Sequence, residues 1–274
     1  MSVRFQPAGR FVDKVVVLTG GTSGIGLASA ARMLAEGATV VLAGRGIERG
    51  EKATAALGHE RARFVPTDVT DRASLDALFA TTMASFGRLD VVVNSAGAVS
   101  VVPFARMKPQ QWSNTLAVNL TAVFDSCQAA LPGLRSTLAA GIAPQTAIVN
   151  VASLDAVGGD KGMTAYGAAK AGVVNFSRSL ALELIGEGIR VNCVSPGAVD
   201  TAMTLSTAGD PDHAETFHRH IPAGRFGRPE ELAAAIAFVA ADEAAFMVGA
   251  NLVVDGGVTC ATGHPDLLAM FGLA

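Results

Sequence analysis

The sequence predicts an α/β fold, a doubly wound parallel sheet of about seven strands with helices on both faces in a three-layer sandwich. Short apolar runs alternate with longer helix-like segments about seven times along the 274 residues. Half of the residues are hydrophobic and only 16% are charged, which is typical of a large buried core. Aromatic residues are scarce while Ala, Val and Gly are plentiful, which suits parallel strands covered on both faces. We expect one domain over residues 1–274.

Composition excludes several classes of function. The 21 basic and 24 acidic residues give a net charge of −3, and no basic run stands out, so we expect no nucleic-acid partner. No uncharged apolar run reaches the ~18 residues of a membrane helix, so we expect no membrane association. The apolar stretch 15–31 is interrupted by Thr-Gly-Gly-Thr-Ser-Gly, which argues against a signal peptide.

Cysteine and histidine usage argues against a disulfide framework and against a metal site. The three cysteines are odd in number and widely spaced, at Cys127, Cys193 and Cys260. A reducing cytoplasm is therefore the expected location. Three histidines form a loose group, which we interpret as a surface segment, at positions His213, His218 and His220.

The first strand, turn and helix have the pattern of a dinucleotide-binding unit. After a short arm (1–13), the apolar run 14–19 predicts a buried strand, and 27–36 predicts a helix that stops at Gly37. Between them lies Thr19-Gly-Gly-Thr-Ser-Gly-Ile-Gly26, whose glycines permit a tight turn, while the helix N-terminus offers N–H groups to a pyrophosphate. The glycine spacing differs from the usual G-x-G-x-x-G, so a purely structural turn is the alternative. The flanking strand and helix favour a Rossmann-like cofactor loop.

The end of the second strand bears on the choice of cofactor. The strand-like run 38–43 ends at Gly44-Arg45, where many NAD-binding folds carry an acidic residue that holds the ribose 2′-hydroxyl. An arginine can pair with a 2′-phosphate instead. NADP is therefore the preferred cofactor; NAD stays possible, and a solvated arginine at a strand end is the alternative interpretation.

The pattern then repeats to the end of the chain. The predicted strands are 61–66, 89–93, 146–151, 189–194 and 251–254. The predicted helices are 71–86, 109–138 with a break at Pro132-Gly133, 164–184 and 229–240, with an irregular polar segment at 199–227. Right-handed crossovers bring the strand-end loops to one edge of such a sheet, where ligands bind.

One helix carries a pair of residues suited to acid–base chemistry. Tyr166 is the only tyrosine of the chain, and Lys170 lies four residues later, on the same helix face. A cation about 4 Å from the phenol oxygen, at an effective dielectric near 20, favours the phenolate by roughly 4 kcal/mol, or about 3 pKa units. A phenol tuned in this way is a usable acid or base near neutral pH. By itself, such a pair is more often an ordinary amphipathic face.

Over nearly its whole length, the chain resembles the short-chain dehydrogenase/reductase family. Thr19–Gly26 resembles the cofactor loop of that family, Asp68 its adenine contact, and Asn94-Ser95-Ala96-Gly97 its Asn-Asn-Ala-Gly turn. The resemblance implies a catalytic tetrad of Asn119, Ser153, Tyr166 and Lys170. It also implies a set of cofactor-binding residues, namely Gly20, Thr22, Ser23, Gly24, Ile25, Gly26, Arg45, Asp68, Val69, Asn94, Ala96, Gly97, Tyr166, Lys170, Pro196, Gly197, Val199 and Thr201.

Two positions depart from the family pattern. Ser95 stands where a second asparagine is usual, and we expect a small effect because serine can still bond to backbone. Ser23 stands where many NADP-preferring members carry Arg or Lys, which leaves Arg45 as the support for NADP.

The resemblance implies hydride transfer between a nicotinamide and a ketone or secondary alcohol. In that mechanism Tyr166 exchanges a proton with the substrate oxygen and Lys170 lowers the pKa of the tyrosine. Ser153 bonds the substrate oxygen, and Asn119 holds a water that links Lys170 to solvent. For Asn119 the alternative is an amide that merely bonds to backbone. The alternatives for the whole chain are a non-catalytic nucleotide sensor of the same fold, or an epimerase or dehydratase of the extended relatives, which usually continue further past the last strand.

The substrate site and the assembly are expectations of the same kind. The candidate pocket residues are mostly apolar and comprise Val99, Leu154, Val157, Met163 and Met203. The segment 199–227 is a candidate substrate lid, with 204–220 as its centre. No arginine pair is present to fix a carboxylate, so a medium-sized, largely apolar carbonyl or alcohol is expected. The family implies a homotetramer, in which the helix 164–184 and the tail 256–274 could pack against neighbouring subunits.

Overall fold

The computed structural model describes residues 9–208, 210–265 and 267–273. Its strands are β1 Val15–Thr19, β2 Thr39–Gly44, β3 Ala62–Pro66, β4 Val91–Asn94, β5 Thr146–Val151, β6 Ile189–Pro196 and β7 Asn251–Val254. Its helices are α1 Gly24–Ala35, α2 Ile47–Leu57, α3 Arg72–Phe86, α4 Pro109–Leu116, α5 Ala122–Ala139, α6 Thr164–Leu184, α7 Ala202–Ala208, α8 Pro211–His220, α9 Pro229–Ala240 and α10 Leu267–Met270.

The seven strands form one parallel sheet in the order β3-β2-β1-β4-β5-β6-β7. The order reverses at β1, so β1 pairs with β2 on one side and β4 on the other, with Thr19 opposite both Ala43 and Asn94. In open parallel sheets such a reversal leaves a crevice beyond the carboxyl ends of the strands. The predicted fold class is confirmed.

Two apolar layers cover the sheet. Alternate side chains of β1 point to opposite faces, so Val16 and Leu18 belong to the layer under α1 and α9, while Val17 belongs to the layer under α3, α5 and α6. All five residues of β1 are buried, because both faces are covered. This double cover explains why the strands appear in the sequence as continuous apolar runs.

Helix α2 was missing from the predicted elements. Its sequence, Ile-Glu-Arg-Gly-Glu-Lys-Ala-Thr-Ala-Ala-Leu, buries little beyond Gly50 and Ala53, so its apolar content is low. Two local signals could have identified it: the Glu48–Lys52 ion pair at helical spacing, and Gly58, which ends the helix in the left-handed conformation at φ 60°.

Two other predictions need correction. Pro132 does not break the predicted helix 109–138: α5 continues through it, held by buried side chains on both sides such as Ala130 and Leu134. The predicted helix is interrupted earlier, by a π-helical segment at Ala117–Thr121 between α4 and α5. The segment 199–227 is not irregular, because it contains α7 and α8.

The chain termini and the lid boundaries also differ in detail from the predictions. Residues 1–8 of the predicted arm lie outside the described residues, and Phe11 is fully buried in the core rather than part of a free arm. The candidate lid begins and ends at paired backbone, since Val199 bridges Gly227 and Asp200 N–H donates to Gly227 O at 2.8 Å. Movement of this segment stays a prediction.

Two further findings concern membrane crossing and metal binding. Among the described residues, no helix combines the length and apolar character that a membrane crossing requires. The same residues contain no group of three or more His, Cys, Asp or Glu side chains that could hold a metal ion.

Candidate active site

The loops at the carboxyl ends of the strands line a cleft of about 460 Å³. Most of the predicted site residues line it, namely Gly20, Thr22, Ser23, Gly24, Ile25, Gly26, Arg45, Asp68, Val69, Ala96, Gly97, Ser153, Tyr166, Lys170, Pro196, Gly197, Val199 and Thr201. Asn94 and Asn119 do not line it. The topology therefore brings together side chains from six strand ends, a placement typical of ligand sites in doubly wound sheets.

The glycine loop is closed tightly against its neighbours. A Cβ at Gly20, whose φ is 66°, would lie 2.8 Å from the backbone of Ala96, and a Cβ at Gly26 would lie 2.3 Å from Gly20 O. Helix α1 begins inside the loop, at Gly24, and the side chain of Ser23 makes no capping hydrogen bond to its first N–H groups. An uncapped N-terminus of a twelve-residue helix beside a glycine turn fits the pyrophosphate of a dinucleotide.

Two arginines line the cleft beyond β2. Arg45 follows the strand directly, as predicted, and Arg49 lies one helical turn further along, on α2. Sequence reasoning missed Arg49 because it missed the helix that carries it; the spacing of four from Arg45 was the available signal. This end of the cleft therefore presents two guanidinium groups.

Asp68, which also lines the cleft, is engaged in a turn after β3. Its Oδ1 accepts hydrogen bonds from Thr70 N–H at 2.9 Å and from Thr70 Oγ1 at 2.8 Å. These bonds, together with the charge of Arg45, hold the pKa of Asp68 below its usual value. The carboxylate thus fixes the shape of the loop that the family resemblance assigns to adenine contact.

Asn94 faces the interior rather than the cleft. Its Nδ2 donates to Asn150 Oδ1 at 2.8 Å, and its Oδ1 accepts from Ser126 Oγ at 2.6 Å. Asn150 in turn donates to Ser177 Oγ at 2.8 Å. This buried chain of amides joins β4, β5, α5 and α6 beneath the site, so the structure gives Asn94 a supporting position and not the expected cofactor-facing one.

Asn119 is fully buried in the π-helical segment and bonds to backbone. Its Oδ1 accepts from Ala98 N–H at 3.2 Å, and its Nδ2 donates to Ala98 O at 2.9 Å and to Thr115 O at 3.0 Å. A Cβ at Gly97 would lie 3.0 Å from Asn119 Oδ1 and 3.8 Å from Lys170 Nζ. Asn119 therefore pins the loop after β4 close to Lys170.

Lys170 is buried below the cleft. Its Nζ donates to Val151 O at 2.8 Å and lies 5.7 Å from the centroid of the Tyr166 ring. Burial lowers the pKa of Lys170 to about 8, because a charged ammonium loses its hydration there. The amine is therefore mostly protonated at neutral pH.

Tyr166 differs from the sequence-based expectation. Burial raises the pKa of its phenol to about 12; a hydrogen bond with Ser153 opposes this effect, and the nearby Asp155 carboxyl adds to it. The prediction that Lys170 lowers the pKa of Tyr166 is wrong when only the side chains of the protein act on the phenol. The ammonium of Lys170 donates to Val151 O instead. The free energy lost when the phenolate is removed from water is larger than its attraction to this distant ammonium.

A second, smaller cavity of about 190 Å³ lies behind the candidate lid. Its charged residues are already paired: Arg225 bonds Glu231, and Asp255 accepts from the backbone of Gly257 and Thr259. The larger cleft is the better candidate for chemistry, since it contains Ser153, Tyr166 and Lys170.

Known proteins resemble this chain in sequence and in structure. A family model described as enoyl-(acyl carrier protein) reductase matches residues 20–259. The meso-2,3-butanediol dehydrogenase of Serratia marcescens is 39% identical over 94% of this chain and 100% of its own length. The cis-4-hydroxycyclohexanecarboxylate dehydrogenase of Sinomonas cyclohexanicum is 43% identical over 91% of this chain and 98% of its own.

A solved structure gives the same result. The crystal structure of levodione reductase superposes with a TM-score of 0.86 at 32% identity, covering 92% of this chain and 99% of that one. Together with the cleft and its glycine loop, these similarities show that the chain belongs to the short-chain dehydrogenase/reductase family of NAD(P)-dependent oxidoreductases that act on alcohols and ketones.

Proposed function

We propose that this enzyme interconverts a ketone and a secondary alcohol, with Tyr166 exchanging the proton on the substrate oxygen. The observation that carries the proposal is that Ser153, Tyr166 and Lys170 line the same cleft, with Lys170 Nζ 5.7 Å from the centroid of the Tyr166 ring. A bound nicotinamide supplies the hydride chemistry. The protein positions the reactants and controls the proton.

Each part of the cofactor has candidate partners in the cleft. The loop Gly20–Gly26 and the start of α1 would hold the pyrophosphate, and Asp68 and Val69 would lie at the adenine. Tyr166 and Lys170 would hold the ribose next to the nicotinamide. The nicotinamide ring would lie against the end of β6 and the segment after it, at Pro196, Gly197, Val199 and Thr201. The tight fit of glycine backbone against Ala96 supports this arrangement.

Proton control falls to four side chains. Ser153 would hydrogen-bond the substrate oxygen, and Tyr166 would protonate or deprotonate it. The Lys170 ammonium, protonated at neutral pH, would favour the phenolate once it is joined by the positive charge of an oxidised nicotinamide. Asn119 would hold a water between Lys170 and solvent, since its Oδ1 and Lys170 Nζ both lie near Gly97.

We infer that NADP is preferred over NAD. Arg45 and Arg49 both line the end of the cleft where a ribose 2′-phosphate would lie, and two guanidinium groups there can pair with it. Ser23 weakens this preference relative to relatives with a basic residue at that place.

The substrate is proposed to be a small or medium-sized, largely apolar ketone or secondary alcohol. Relatives named for butanediol, a hydroxycyclohexane carboxylate and levodione support this class. Met203, one of the candidate pocket residues, lines the cleft, and Val157 is 52% exposed.

We also propose a homotetramer in a reducing compartment, the cytoplasm. Free Cys127 and Cys193 are buried and Cys260 is exposed, which suits a reducing environment. Apolar side chains on α6 and in the C-terminal tail are exposed, for example Leu182 at 77% and Phe271 at 70%. Light scattering should give about four times the chain mass of 27.8 kDa; a mass of one chain would contradict the tetramer.

Replacing Tyr166 tests the proposed function. Tyr166→Phe keeps the ring and its packing but removes the proton, so we expect kcat to fall by about 10²- to 10⁴-fold. The dissociation constant of NADP(H), measured by fluorescence titration, should change little because the pyrophosphate and phosphate contacts are intact. Substantial remaining turnover on ketones and alcohols would show that another group carries the proton.

Replacing the two arginines tests the cofactor preference. Arg45→Gln and Arg49→Gln should each raise KM for NADPH roughly 10- to 100-fold, because a charge-assisted hydrogen bond to the 2′-phosphate is lost, and leave KM for NADH nearly unchanged. Arg63→Gln is the matched control, since Arg63 bonds Glu60 O and does not line the cleft. An equal increase in KM for NADPH and NADH in these variants, or a wild-type preference for NADH, would overturn the assignment of NADP.

A further inference from the structure

Asp155 makes a direct contact with the serine of the tetrad. It lies in the short turn Leu154–Ala156, and Ser153 is the residue that caps the start of this turn. Ser153 Oγ donates to Asp155 Oδ2 at 2.9 Å and accepts from Asp155 N–H at 3.2 Å. A serine hydroxyl has one hydrogen, so in this geometry the hydrogen is committed to the carboxylate.

The remainder of the Asp155 carboxyl is poorly compensated. In the described part of the chain, its Oδ1 is buried without a hydrogen-bond partner, and no lysine or arginine forms an ion pair with it. Burial and the nearby Asp160 carboxyl both raise the pKa of Asp155, while Ser153 lowers it. A half-buried carboxylate without a cation costs stability. The hydrogen bonds between Asp155 and Ser153 are therefore the contacts through which Asp155 acts on the site.

We propose that Asp155 is a positioning residue, which holds the hydroxyl hydrogen of Ser153 and thereby presents Ser153 as a hydrogen-bond acceptor to the oxygen bound between Ser153 and Tyr166. The part that concerns substrate rests on the proposed function. An alcohol can donate its one hydroxyl hydrogen to Ser153 while Tyr166 is protonated, and to the Tyr166 phenolate when that proton is to be removed. A ketone oxygen has no hydrogen to donate and must rely on Tyr166. When ionised, the Asp155 carboxylate therefore disfavours the ketone in the ground state and competes with the Tyr166 phenolate for the hydrogen of Ser153.

Few other charged groups act on Tyr166. Lys170 faces it from its own helix and is itself near Cys193 of β6; Asp155 and Asp160 come from the turn and loop after β5. Helix α4, which packs against α6, contains no titratable residue. Asp155 and Asp160 carry the same charge, but only for Asp155 does the described structure record a hydrogen bond with Ser153. Asp160, which itself interacts with the Asp155 carboxyl, therefore provides a control for a general effect of charge.

The first test needs no cofactor and no turnover. Because Tyr166 is the only tyrosine, the ultraviolet absorbance of tyrosinate reports this residue alone, over the pH range in which circular dichroism shows a folded protein. Asp155→Ala frees the hydrogen of Ser153 to stabilise the phenolate, so the phenolate should form at least about one pH unit lower than in the wild type. Asp160→Ala should shift it by much less. Asp155→Asn, which keeps an acceptor for Ser153, should fall between the two and serves if the alanine variant does not fold.

The second test measures the response of the substrate. Asp155→Ala should lower KM for a ketone roughly tenfold, since one hydrogen bond is gained, and change KM for the corresponding alcohol little. Asp160→Ala should leave the ratio of the two KM values within about twofold of the wild type.

Two outcomes would overturn the proposal: an unchanged tyrosine titration in Asp155→Ala, or equal shifts in Asp155→Ala and Asp160→Ala, which would indicate a general field of charge. Failure of the proposed function looks different. In that case no ketone or alcohol is turned over even by the wild type, while the tyrosine titration still decides whether Asp155 holds the hydrogen of Ser153.

Discussion

The removal of polar groups from water beneath the cleft is the physical constraint on which the site depends. Lys170 and Tyr166 both lose hydration there, which favours the neutral form of each side chain. The pKa of the lysine therefore falls to about 8, and the pKa of the tyrosine rises to about 12. Other polar groups there find protein partners instead: Asn94 bonds Asn150 and Asn119 bonds Ala98. The polar groups beneath the site are thus paired within the protein, and a charge added nearby would change the pKa of both titratable groups.

The sheet creates this environment by its topology. Every strand of one parallel sheet ends at the same edge, and the reversal of order at β1 separates the helices there. Glycines allow the loops after β1 and β4 to approach within contact distance, since side chains at Gly20 or Gly97 would collide with Ala96 or Asn119. Lys170 is buried beside these loops, and Arg45 and Arg49 line the same cleft from the end of β2 and from α2.

Much of this follows from sequence, and the exceptions have physical causes. Fully buried strands such as β1 can be recognised in the sequence as apolar runs, and their order in the chain determines which loops converge. Helix α8, Pro-Asp-His-Ala-Glu-Thr-Phe-His-Arg-His, buries no residue completely and so carries little apolar signal. The direction of Asn94 depends on which face of β4 it occupies, and the pKa of Tyr166 depends on desolvation. A pairwise Coulomb estimate between Tyr166 and Lys170 contains no desolvation, so it gave the wrong sign.

The central claim is that Tyr166 becomes a usable base only when a positive nicotinamide charge offsets its burial. The most direct test is the tyrosinate absorbance of this single-tyrosine protein, titrated in parallel with saturating oxidised and reduced cofactor, which differ by that one charge. We expect a clearly lower pKa for Tyr166 in the oxidised complex, shifted from about 12 toward neutrality. Identical titrations in the two complexes would contradict it.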